Sequence, residues 1–218
     1  MKDSMITKKI IVYGLYLWAA LCTLEAKNEK FPLYKDAKVP MEKRVEDLLS
    51  RMTMEEKVLQ LSQYVAGRNT NANNIGEEVK NIPAEIGALL YYSTSPGLRN
   101  NIQKKAMEES RLGIPVLFGH DVIHGFRTVY PISIAQACSW NPTLVEKACG
   151  MAAREARLAG LDWTFSPMID VARDPRWGRV SEGYGEDPYT NGVFAAASVK
   201  GYQGDNLADG KHIAACLK

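Results

Sequence analysis

The chain is poor in several features that would assign it a function at once. No G-x-G-x-x-G fingerprint and no phosphate-loop lysine motif occur in it, which removes the usual backbone cradle for a dinucleotide or nucleoside triphosphate. Charge of one sign is scarce too. A net charge of +2, with lysines and arginines scattered along the chain, gives no basic stripe for a nucleic acid. Cysteine is limited to Cys22, Cys138, Cys149 and Cys216, and no two of these have the short spacing of a zinc or redox motif. Long apolar runs are missing as well: the longest candidate, Ile10 to Leu21, is shorter than the ~20 residues that span a bilayer. A stable membrane span is therefore not expected, and neither is a cofactor.

What remains is an ordinary globular composition, 46% hydrophobic and 24% charged over 218 residues, enough for one large domain or a good part of one. Lys2, Lys8 and Lys9 precede the run Ile10 to Leu21, and short side chains follow around Ala19, Ala20, Cys22 and Ala26. That order predicts a cleaved export signal over residues 1–26, hence a secreted or periplasmic protein. A membrane anchor is the weaker alternative. Leu21 is a poor residue before a lipid-attachment cysteine, so a lipoprotein at Cys22 is weaker still. After cleavage three cysteines are left, an odd number in apolar surroundings, and they read as buried thiols. A polar connector over 27–44 and a domain over 45–218 complete the expected division.

Within that domain, strands and helices alternate. Helix-like segments run over Pro40 to Met52, with Val45, Leu48 and Leu49 together, and from Thr53, where Glu56 completes a capping box. The segment from Val79 to Tyr92 ends in IGALLYY, a compact apolar run that fits a buried strand, and Ser95 to Leu112 is the next helix. IPVLFG, from Ile114 to Gly119, is a strand. Asn141 and Pro142 open a helix that stops near Gly160, with Leu144, Val145, Ala148, Met151, Ala152 and Ala156 on one apolar face. DWTFSP reads as a strand, Asp187 and Pro188 open another helix, and Ile213 to Leu217 is a final strand. Such alternation means parallel pairing with right-handed crossovers, in a doubly wound sheet or an eight-fold barrel. Without a glycine fingerprint the barrel is favoured. The fold class expected is α/β, the N-terminal portion of a TIM-like (β/α)8 barrel, with about half of the barrel present.

Both folds build their sites from the loops leaving the carboxyl ends of strands, and two polar segments lie there. In GHDVIHG, Asp121 follows an apolar strand, where a carboxylate can accept paired hydrogen bonds from vicinal sugar hydroxyls. His120 and His124 have the spacing of two metal ligands on a helix, which suggests a metal-dependent hydrolase as a rival. A strand-to-loop context does not put residues four apart on one face, so no metal ligand is assigned. RDPRWGRVSEGYGEDP, from Arg173 to Pro188, is punctuated too often by Gly and Pro for a helix or strand and reads as a shaped site loop. Arg176 and Arg179 each offer a fork for bidentate recognition or for pairing with Asp174, Glu182, Glu186 or Asp187. Trp177 fits a plug beneath the loop better than a sugar platform. Spacing alone cannot name a catalytic carboxylate pair, because separation in space decides it. Lys218 stands at the carboxyl end of the last strand, whereas Lys211 and His212 stand before it, which makes Lys218 the better ligand candidate.

These segments, LGIPVLFGHDVIHG, YPISIAQACSWNP, SPMIDVARDPRWGRVSEGYGEDP and IAACLK, resemble glycoside hydrolase family 3, particularly its β-glucosidase-like members, from about Val45 to the last residue. The resemblance implies a barrel-like N-terminal domain and a retaining, exo-acting enzyme that removes β-linked glucose or related sugars. It also implies substrate-binding roles for Asp121, for Arg179 as the second arginine of DPRWGR, and for Lys218 as the lysine of a Lys-His pair. The family's nucleophilic aspartate and acid/base glutamate have no counterpart here, so no catalytic residue is expected within this chain, which alone should not turn over substrate. The expected partner is a β-glucoside or oligosaccharide, with no nucleic acid. β-Xylosidase of the same family is the first alternative, ahead of a non-catalytic sugar-binding module and of the hydrolase using His120 and His124; N-acetylhexosaminidase members fit less well.

Overall fold

The structure is a computed structural model that describes residues 31–69, 71 and 73–218. The expected export signal, residues 1–26, lies outside the described residues. The described residues divide into two compact units, one up to Thr53 and the other Met54–Lys218. In the first, a 3-10 turn at Leu33–Lys35 precedes helix α1, Met41–Arg51. Asp47 accepts from the Tyr34 amide at 3.1 Å and from Arg51 at 2.9–3.0 Å, and Arg44 donates to the Tyr34 carbonyl at 3.0 Å. One carboxylate thus ties the turn to the helix.

The second unit begins with α2, Met54–Gln60, and then alternates: β1 Gln63–Ala66, α3 Ile75–Asn81, β2 Ala88–Tyr91, α4 Pro96–Glu109, β3 Leu117–His120, α5 Ser133–Ala137, α6 Pro142–Leu158, β4 Trp163–Thr164 and α7 Pro188–Gln203. The four strands pair in parallel in the order β1-β2-β3-β4. A doubly wound sheet reverses its strand order at a switch point, and this one does not. Successive strands added on one side are the winding of a (β/α)8 barrel, and the chain forms part of one.

The predicted strand Ile213 to Leu217 is reduced to a bridge, Ala214 paired in parallel with Trp163. Its hydrogen bonds nevertheless run on: Thr164 donates to Ala214, Ala214 to Asp162, Cys216 to Ser166, Lys218 to Pro167 and Ile169 to Lys218, at 2.7–3.2 Å. This segment occupies the fifth place in the winding. The strand expected at Ile114 to Gly119 sits later, at Leu117–His120. Pro115 has no amide to give a ladder, so pairing starts only beyond it.

Three helices open with the same device. Ser95, Asn141 and Asp187 each accept from the amide three residues on, at 3.4, 3.1 and 2.7 Å, and each precedes a proline, Pro96, Pro142 or Pro188. The side chain satisfies an orphan donor, while the proline sits where its missing N–H costs nothing. Parallel strands alternate their side chains between the two faces, and one face is sealed: Ala66, Leu89, Tyr91, Phe118, Thr164 and Ile213 are at most 1% exposed. They join Leu98, Ile102 and Ala106 of α4, Val145, Cys149, Ala152 and Ala156 of α6, and Phe194 and Tyr202 of α7 in the core. Each large aliphatic side chain sealed there contributes about 1.5–3 kcal/mol. On the opposite face Val65 and Leu117 are 54% and 53% exposed. No described helix is long and apolar enough to cross a membrane.

Candidate sugar-binding site

The carboxyl ends of β3 and of the Ile213–Lys218 segment bring two expected site residues together. Asp121 follows β3 directly, and Lys218 ends the fifth segment with its backbone fixed on both sides by Pro167 and Ile169. Lys218 Nζ donates to Asp121 Oδ1 at 2.8 Å. The Asp121 side chain keeps 52% of its surface exposed and that of Lys218 27%, so the pair faces an open rim.

Arg179 stands within electrostatic reach of Asp121. It lies at the start of the short 3-10 turn Val180–Glu182, and its guanidinium forks onto Glu182 with Nε to Oε1 at 2.9 Å and Nη2 to Oε2 at 2.6 Å. Glu182 raises the Arg179 pKa above its ordinary value, with smaller contributions from Asp170 and Asp121. The Glu182 carboxyl is lowered chiefly by Arg179 and also by Lys218. The charge of Asp121 is thus felt at Arg179 and that of Lys218 at Glu182. The two bonds to Glu182 use two of the five guanidinium hydrogens and leave three for a ligand.

The loop that carries Arg179 is built as a shaped turn. Arg176, the other arginine weighed for recognition, pairs with Asp174 at 2.6 Å and has 89% of its side chain exposed. Trp177 is half-buried, and its amide donates to the Asp174 carbonyl at 3.0 Å. Buried Asn191 of α7 donates to the carbonyls of Ile169 and Asp170 at 3.2 and 3.0 Å. Tyr184 anchors the far end, stacked on Phe194 at 5.6 Å and bonded to Ser198 at 2.5 Å; burial pushes its phenol up to about 12. Asp187 is engaged as a helix cap.

The two histidines of GHDVIHG part company. His124 Nδ1 lies 3.0 Å from the Tyr130 carbonyl, and the Tyr130 amide donates to the His124 carbonyl at 2.8 Å, which closes the loop around Gly125. His120 sits edge-on to Tyr92 and Phe126 at 5.1 and 5.9 Å, and burial depresses its pKa. Among the described residues no group of three His, Cys, Asp or Glu side chains is placed to hold a metal. His212 pairs with Asp209 at 2.7 Å, on the amino side of the fifth segment, away from the rim that Lys218 reaches.

Glu182 was legible beforehand only as one of several possible arginine partners. Two further residues gave no signal. Buried Thr164 accepts from the Val122 amide at 3.0 Å, and buried Tyr202 donates to the Val122 carbonyl at 2.5 Å. In the sequence both look like ordinary core.

Residues 53–218 match the model of the glycosyl hydrolase family 3 N terminal domain. A periplasmic β-glucosidase of Salmonella typhimurium is 42% identical over 165 residues, 76% of this chain and 21% of that protein. A putative β-xylosidase of Formosa agariphila is 35% identical, covering 85% of this chain and 27% of its own. Among solved structures, a β-glucosidase from Listeria innocua in complex with glucose superimposes with a TM-score of 0.70 at 39% identity, over 82% of this chain and 26% of that one. The chain therefore spans only about a quarter of the length of the relatives it matches. A family match over most of the chain, together with a parallel sheet that superimposes on a solved relative, places the protein in glycosyl hydrolase family 3, of which it carries the N-terminal domain sequence.

Proposed function

We propose that this chain supplies the sugar-gripping wall of a retaining, exo-acting β-glucosidase, with Asp121, Arg179 and Lys218 holding the terminal glucose. The observation that carries the reading is the contact between Asp121 and Lys218 at the open rim, within electrostatic reach of Arg179. A carboxylate can accept from two vicinal hydroxyls, while an ammonium and the free edge of a guanidinium donate to others. A pyranose presents such hydroxyls around its ring. Relatives named as β-glucosidases, one of them solved with glucose, support the same substrate class.

In retaining hydrolysis one carboxylate attacks the anomeric carbon and a second carboxyl protonates the leaving oxygen, after which water releases the sugar. Neither role is assigned to Asp121, Arg179 or Lys218. Their part is orientation: hydrogen bonds that tighten as the ring flattens lower the barrier, an effect of several kcal/mol in this class of mechanism. β-Xylosidase is the second reading, favoured by the relatives of that name. A xylose lacks the hydroxymethyl group of glucose but keeps the ring hydroxyls.

We also place the protein in the periplasm or outside the cell. Residues 1–26 would direct its export, and the Salmonella relative is named as periplasmic.

The test is kinetic. The complete gene product that carries this chain is assayed on aryl β-glucoside and aryl β-xyloside, as wild type and as Asp121→Asn. The reading predicts glucoside hydrolysis that falls by about two orders of magnitude or more in the variant, since a charged group's hydrogen bonds are lost at the transition state. A wild-type rate in Asp121→Asn would refute it, and faster xyloside turnover would favour the second reading.

A further inference from the structure

Asp121 owes its place to the residue that follows it. Val122 is fully buried at the end of β3, beyond the last ladder bond, where its peptide has no strand partner to satisfy it. Two side chains from distant parts of the chain do so instead. Its amide donates to Thr164 Oγ1 of β4 at 3.0 Å, and its carbonyl accepts from the Tyr202 hydroxyl of α7 at 2.5 Å. Thr164 is 0% exposed and Tyr202 1%. Burial pushes the Tyr202 phenol far above its ordinary value, so it stays a donor throughout the working range. One residue upstream, the His120 carbonyl accepts from the Phe165 amide at 3.2 Å. The backbone on both sides of Asp121 is therefore tied to β4 and α7, while the Asp121 side chain is left free to face the rim.

We propose that Thr164 and Tyr202 form a two-sided clamp on the Val122 peptide and act as positioning residues that aim the Asp121 carboxylate at the sugar. Neither side chain reaches the rim itself. Each acts through one backbone group, and loss of either leaves a buried amide or carbonyl without a partner. The segment would then shift or open, and the carboxylate with it. This inference rests on the sugar-binding reading of Asp121.

The experiment compares Thr164→Val and Tyr202→Phe, which remove one hydroxyl each with little change of volume, with Thr164→Ser, which restores the acceptor. The complete gene product is assayed on aryl β-glucoside in wild-type and Asp121→Asn backgrounds. Backbone hydrogen exchange is followed at residues 120–123, with α4 as the control for the fold. The clamp predicts faster exchange at 120–123 with α4 unchanged, and kcat/KM lowered roughly tenfold in Thr164→Val and in Tyr202→Phe. Thr164→Ser should return it close to wild type. In the Asp121→Asn background either clamp mutation should add less than about twofold, because the group being aimed is already gone. Unchanged exchange at 120–123, or losses that multiply with that of Asp121→Asn, would overturn the clamp. Faster exchange at 120–123 with Asp121→Asn itself silent in kinetics would sink the sugar reading, and the positioning role with it, while leaving the clamp only as a loop anchor.

Discussion

Lys218 Nζ and Asp121 Oδ1 meet at 2.8 Å across 97 residues of chain. Both belong to the carboxyl end of a parallel sheet, where barrel folds collect the groups that bind and transform ligands. An ion pair on an open rim is weak, about 0–1 kcal/mol, because water screens it. Under the proposed function a sugar hydroxyl would therefore enter between the partners at little expense.

That weakness makes Lys218 separable. Lys218→Met should change the unfolding free energy by less than about 1 kcal/mol, while glucose inhibition of the complete gene product weakens by roughly tenfold or more through loss of a charge-assisted hydrogen bond. Denaturant unfolding and an inhibition constant for glucose measure the two effects side by side. A large stability loss with unchanged inhibition would make Lys218 a structural residue.

Glu182 holds the Arg179 fork, and its carboxyl is depressed by that arginine. A depressed carboxyl releases its proton more readily in the folded state than in the unfolded one. The pair's contribution is thus present above the ordinary value of 4.5 and is lost as pH falls through the lower folded value. Glu182→Gln should flatten this part of the stability profile below pH 4.5 and weaken glucose inhibition at neutral pH severalfold, as Arg179 loses its aim. Unfolding curves at neutral pH and below pH 4.5 on both proteins decide it.

His120 acts in the same sense at a higher pH. Burial lowers its pKa from 6.5, so the unfolded chain takes up the proton first and stability falls as pH drops below 6.5. His120→Phe keeps an aromatic ring beside Tyr92 and Phe126 and cannot titrate. The variant should lose that part of the acid dependence, seen as a melting temperature that varies less between pH 7 and pH 5 than in the wild type.

Gly201 of α7 packs tightly against Glu146 and Cys149 of α6. A Cβ built there would lie 2.3 Å from the Glu146 carbonyl oxygen and 2.7 Å from Cys149 Cβ, neither of which is a flexible tip. Gly201→Ala should destabilise the fold by about 1–3 kcal/mol, the usual cost of overpacking a dense contact. Chemical denaturation reads this directly. Because α7 carries Tyr202, the same variant should also speed exchange around Val122.

The legible parts of the fold were those written in local chemistry. Asn141-Pro142 and Asp187-Pro188 mark helix starts by side-chain caps and fixed φ, and both hold. β1 was missed because Gln63, Tyr64 and Val65 are all exposed on an edge strand, so QYVA shows no buried pattern. α3 and α5, at seven and five residues, are too short to show helical periodicity. The site divides in the same way. The Arg179–Glu182 pair joins residues three apart and could be foreseen as one of a few options, but nothing along the chain announces a contact between Asp121 and Lys218, 97 residues apart. Thr164 and Tyr202 were invisible, since a buried hydroxyl that satisfies a distant peptide has no signature along the chain.

The most direct measurement is a crystal structure of the complete gene product soaked with glucose. The account predicts one glucose at the carboxyl end of the sheet, with hydroxyls within hydrogen-bond distance of the Asp121 carboxylate, the Lys218 ammonium and the free edge of the Arg179 guanidinium. Glucose bound elsewhere, with the Asp121–Lys218 pair untouched, would contradict it.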